Sequence, residues 1–156
     1  LTQTVENLLA AQPTPDPPLN VNANDTGAPV GQTWVNAASN ASNGSRNSSL
    51  KSWWLGLMLN QPISLVEKMT LFWQNHYVSE ADVVNDARFS YRQLALFRAN
   101  ALGNFKTLTK LVTIDGAMLR YLNGNSNTKT NPNENYGREL QELFTIGKGE
   151  EIAPGN

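Results

Sequence analysis

Three residues able to move protons or hold anions, His76, Arg98 and Glu139, fall on or beside the apolar faces of predicted helices. A charge on an apolar face is costly unless it is paired. One Arg and one Glu so placed on different helices therefore predict each other, and an interior cluster of Arg98 with Glu139, and with His76 close by, is expected. As a catalytic site this cluster would use Glu139 as general base or ligand, Arg98 as anion holder and His76 as acid or ligand. As a structural feature it would be a satisfied ion pair beside a hydrogen-bonded core histidine. The metal-assisted version of that site would place a hard or borderline ion on Glu139, Glu142 and His76. No metal-ligand spacing supports it, since the residue three before His76 is Trp73 rather than Glu. The residues name no cofactor.

Composition narrows the classes further. There is no Cys and a single His, which excludes thiolate chemistry, disulfides and sites built on several histidines. The net charge is −1, so a basic nucleic-acid binder is not expected. The longest apolar run, Trp53 to Leu59, is too short for a transmembrane segment. Phosphate-binding Gly loops, dinucleotide fingerprints, zinc-protease helices and nucleophile elbows are all missing.

Helices must position the three candidates, and the spacing of apolar residues predicts a mainly α fold: an irregular helical array behind a Pro/Asn-rich N-terminal arm. Residues 1–49 read as a short helix within 1–11 followed by an extended arm, and residues 50–156 as the helical domain. Pro13, Pro15, Pro17, Pro18 and Pro29 punctuate the arm, so no regular helix is expected before Ser48. Trp34-Val35 is expected to anchor it. Ser49 caps a helix carrying Trp53, Trp54, Leu57 and Met58, and that pair of Trp residues is expected in the core. Ser64 and Glu67 read as a capping box for the next helix, with Leu65, Met69 and Phe72 as its buried face and His76 in that sector. A helix over Ala87–Ala101 carries Tyr91, Leu94 and Arg98. Asn104 caps a shorter helix, and a helical turn covers Ala117–Leu122. After a polar loop with an Asn123-Gly124 turn signal, Asn131, Pro132 and Glu134 open the last helix as N-cap, N1 and N3. Its stripe is Tyr136, Leu140, Leu143 and Phe144, with Glu139 on the edge, and Gly147 closes it.

Three runs carry a resemblance: Glu67-Lys-Met-Thr-Leu-Phe-Trp-Gln-Asn-His-Tyr77, Arg98-Ala-Asn-Ala-Leu-Gly-Asn-Phe105 and Pro132-Asn-Glu-Asn-Tyr-Gly-Arg-Glu-Leu-Gln-Glu-Leu-Phe-Thr-Ile-Gly147. In order and spacing they resemble a widespread bacterial family catalogued as domain of unknown function 1800. Asp115-Gly-Ala-Met-Leu-Arg-Tyr-Leu122 is similar to the family's D-P-A-M-L-x-Y-L stretch, and the match covers about residues 50–149. The resemblance implies a long helical protein, exported to the bacterial periplasm, outer-membrane surface or exterior. It implies no activity. His76, Arg98, Glu134, Arg138, Glu139 and Glu142 all match the family pattern. Gln74 stands where the family has a first His, and Gly137 where it has Ala.

The chain opens on Leu1 and ends in a loop-like stretch, so it is expected to be a fragment in contact with a further C-terminal part or another protein. The functional expectation is an uncharacterised exported helical module for assembly or surface binding. The alternative is a hydrolase-like or metal-assisted enzyme built on Glu139, Arg98 and His76.

Overall fold

The computed structural model describes residues 2–147 and 149. Among them are eight α-helices and no strand, so the mainly α expectation holds. They are α1 (Thr2–Leu9), α2 (Asn43–Asn60), α3 (Val66–His76), α4 (Ala81–Val84), α5 (Ala87–Ala99), α6 (Phe105–Val112), α7 (Gly116–Tyr121) and α8 (Glu134–Phe144). The loop-like end expected beyond Gly147 lies, apart from Gly149, outside the described residues.

Short polar side chains start four of these helices. Asp86, Asn104, Asp115 and Asn133 each accept a hydrogen bond from a backbone N–H in the first turn of the helix they precede. The expected cap at Asn104 is therefore found. The expected start of α8 is not: Asn133 is its N-cap and Glu134 its first residue, so Glu134 closes no capping box. Gly147 takes φ of 76°, the left-handed conformation expected of a residue ending a helix.

The arm is folded rather than extended. Trp34 is fully buried, and its indole N–H donates to Ser49 Oγ at 3.2 Å. Its asparagines hold turns: the Asn20 side-chain amide donates to Ala28 O at 2.6 Å, and Asn40 donates to Asp25 Oδ1 at 2.7 Å. The arm also explains why α2 begins at Asn43 rather than at Ser49. The first turns of α2 are polar, but Arg46 is buried there and grips Asp25 with two bonds of 2.6 and 2.8 Å. A third nitrogen donates to Ala38 O. Burial of a paired charge, not of an apolar stripe, anchors that end of the helix.

Two cores result. One joins Ala28, Trp34 and Val35 of the arm to Leu50 of α2 and to Ala87 and Leu94 of α5. The other joins Tyr77, Phe97, Leu108, Val112 and Met118 to Leu140 and Phe144 of α8. Helix α5 contributes to both, and it packs against α2, α3, α4, α6 and α7. It is the element from which a site can be positioned.

Candidate functional site

Helix α3 is rotated by about one residue from the expected face. Its buried positions are Val66, Glu67, Thr70 and the following Tyr77, while Phe72 is half exposed. At about 100° per residue, Val66, Thr70, Trp73 and Tyr77 share one side, roughly a third of a turn from the Leu65, Met69 and Phe72 stripe. This rotation brings Glu67 inward. Its neighbour is Arg98 of α5, whose Nε donates to Glu67 Oε1 at 2.7 Å. The second carboxylate oxygen accepts from Trp54 Nε1 at 3.2 Å. Glu67 sits in the first turn of its helix and Arg98 in the last turn of its own, so each charge also complements its helix dipole.

The expected cluster is thereby corrected. Arg98 is paired with Glu67, not with Glu139. Glu139 instead lies 3.3 Å from Arg138, a surface side chain. His76 has a third partner: its Nε2 meets Phe144 O at 2.8 Å. A carbonyl only accepts, so Nε2 carries the proton and satisfies one of the carbonyls left open at the end of α8. The aromatic rings of Phe72, Trp73, Tyr77 and Phe105 surround the imidazole. Among the described residues no three His, Asp or Glu side chains gather as metal ligands would, Glu139, Glu142 and His76 included. Gln74, two residues before His76, points about 200° away from it round the helix. It lines a small pocket with Ser79 and Gln93.

What does converge is a cleft of about 550 Å³. Trp53, Trp54 and Leu57 of α2 form one wall and Tyr91, Leu94 and Arg98 of α5 the other. The stretch from Leu8 to Asp16 lies across it as a strap, with Leu9, Gln12 and Pro15 among the lining residues. Three strap carbonyls are held by the body: Leu8 O by Leu65 N at 3.0 Å, Pro13 O by Arg98 Nη1 at 2.9 Å and Asp16 O by Trp53 Nε1 at 2.8 Å. Trp53 and Trp54 are thus half-buried walls with occupied N–H groups, not enclosed core residues. Arg98 is the one charged side chain among those lining the cleft. Burial raises the Tyr91 phenol above its ordinary pKa, in keeping with a weakly solvated wall.

Sequence reasoning missed three further polar groups. The Arg46 guanidinium, helped by Asn40 and Gly27, holds the Asp25 carboxyl well below the usual carboxylate range. Arg88 grips Asp86 at 2.6 Å and lowers it likewise, with Arg120 at 3.7 Å. Ser79, Gln93 and Asp115 form a hydrogen-bonded chain, and burial pushes the Asp115 carboxyl up. Asp25 and Arg46 lay in a segment with no helical pattern. The signal that could have found Glu67 was its own position, in the terminal turn of a helix facing another terminal turn.

A family model described as "Protein of unknown function (DUF1800)" matches residues 1–151, so the match takes in the arm as well as the three runs. No curated protein and no solved structure matches the chain.

Proposed function

The chain belongs to the DUF1800 family, and on that premise we propose that it is a non-catalytic binding module of an exported bacterial protein, used in assembly or surface binding. The strapped cleft is its binding site. One observation carries this reading: the cleft's single charged lining side chain, Arg98, is already neutralised by Glu67, which is itself almost fully buried. Acid–base catalysis needs a proton donor and acceptor within reach of a substrate. A cleft walled by Trp53, Trp54, Leu57 and Leu94 instead offers apolar area and shape, and its volume lies in the usual range for small-molecule sites. The enzyme alternative required Glu139, Arg98 and His76 together, and each has a different partner.

The test uses N-phenyl-1-naphthylamine, an uncharged dye that brightens in apolar sites. The chain should bind it with quenching of tryptophan emission. Ala99→Trp, at an exposed position on the rim, should weaken binding at least tenfold without unfolding the chain. Dye binding that is absent, or indifferent to Ala99→Trp, would remove the cleft as the site. Stoichiometric metal lost on Glu139→Gln would favour the enzyme.

A further inference from the structure

We propose that the cleft takes an uncharged, elongated amphiphile with an oxygen at each end and an apolar body of about two helical turns. This rests on the cleft being the binding site. Of the three guanidinium nitrogens of Arg98, Nε donates to Glu67 and Nη1 to Pro13 O. Among the described residues neither Arg98 Nη2 nor the Tyr91 hydroxyl has a hydrogen-bond partner, and both side chains line the cleft. They stand seven positions apart on α5, which places them on one face with about 10 Å of helix between them. Leu94 and Ala95 fill the interval, and Trp53 and Trp54 face it from α2. The wall is an apolar strip bounded by Tyr91 at one end and Arg98 at the other, each carrying a side-chain donor without a partner among the described residues.

The charge balance selects among oxygen-bearing ends. Glu67 lies 2.7 Å behind the guanidinium and cancels its charge. A carboxylate at Nη2 would bring a second anion to a site holding one cation, and an ammonium would find a donor where it needs an acceptor. A hydroxyl or carbonyl oxygen takes the Nη2 proton without adding net charge. The strap already shows this preference, since what Arg98 and Trp53 hold there are neutral carbonyl oxygens.

Octane-1,8-diol tests this against octan-1-ol by displacement of N-phenyl-1-naphthylamine from the full chain. The diol is the more water-loving of the two, so a merely greasy cleft binds it more weakly. With donors at both ends, its half-displacing concentration should be no higher than that of octan-1-ol. Tyr91→Phe, and Arg98→Lys, which keeps the charge beside Glu67 but loses the guanidinium fork, should each raise the diol's dissociation constant at least threefold more than they raise that of octan-1-ol, each computed with the dye affinity measured in the same variant. The proposal is overturned if octan-1-ol displaces better than the diol, if both variants leave the diol unaffected, or if octanedioate displaces better than the diol. Failure of the dye itself to bind would instead sink the cleft as a site, so the two failures are distinguishable.

Discussion

Glu67 Oε1 and Arg98 Nε lie 2.7 Å apart between the first turn of α3 and the last turn of α5, with Glu67 almost wholly screened from solvent. Removing one member of such a pair leaves the other uncompensated. Glu67→Gln should therefore destabilise the chain by about 2–4 kcal/mol. Glu139→Gln, whose partner Arg138 is largely exposed, should change stability by no more than about 0.5 kcal/mol. Urea denaturation of the two variants checks the contrast. Equal effects would mean that the pairing of Arg98 has been misassigned.

Acid should act on Asp25 and Asp115 with opposite sign. The folded-state pKa of Asp25 is depressed by Arg46, so its stabilisation is complete above the ordinary carboxylate value of about 3.9. It is lost as pH falls below that value. Asp25→Asn should be less stable than wild type at pH 7, and should lose less stability than wild type between pH 5 and pH 2. Asp115 is raised by burial, so its favourable contribution is complete below the ordinary value and lost as pH rises through its folded value. Asp115→Asn keeps an oxygen for Met118 N and Gln93 Nε2 without the buried charge. It should be as stable as wild type or more so at pH 7, with the gain shrinking toward pH 4. Thermal melts across this range separate the two.

His76 ties α3 to the last carbonyl of α8. An imidazole and an imidazolium can both donate from Nε2. His76→Ala should cost about 1–3 kcal/mol, the penalty for an unmet hydrogen bond with some lost packing. The loss should be concentrated in α8, seen as faster amide exchange over Glu134–Phe144 than over α5. Uniform acceleration across both helices would argue against a local tie.

Legibility in the sequence followed the kind of interaction. Caps at Asn104 and the break at Gly147 were readable because a side chain and its own backbone settle them. The helix carrying Arg98 was readable because Tyr91 and Leu94 recur on one face of it, although the fully buried Phe97 lies outside that stripe. The face of α3 was not. Bulk pointed to Leu65, Met69 and Phe72, yet the helix buries Thr70, whose hydroxyl donates back to Val66 O, and Glu67, which Arg98 and Trp54 satisfy. Polar residues that find partners in space carry no periodic signal. The same holds for the start of α2, where a buried Arg46 replaces the apolar residue that pattern reading looks for.

The choice of Glu139 over Glu67 as partner of Arg98 failed for a related reason. A capping box accounted for Glu67 locally, so nothing was left to pair. In the structure Ser64 Oγ accepts from Val66 N, and Leu65 stands at the cap position, so the box does not form and the carboxylate is released to α5. Local sufficiency hid a long-range pair.

Two glycines of the family-like runs should respond oppositely to the same small substitution. At Gly137, inside α8, a Cβ would meet nothing within 4 Å, and Ala favours a helix interior by about 1 kcal/mol over Gly. Gly137→Ala should raise stability by about that amount. At Gly116, the first residue of α7, a Cβ would come within 2.4 Å of the Phe89 ring. That ring also carries the Arg120 guanidinium 4.4 Å from its centre, and Arg120 in turn approaches Asp86. Phe89 therefore cannot swing aside without disturbing the turn that caps α5. Gly116→Ala should cost about 1–3 kcal/mol, the usual penalty of overpacking. Chemical denaturation of both variants decides it. A stable Gly116→Ala would mean that the Phe89 ring has room that these positions deny it.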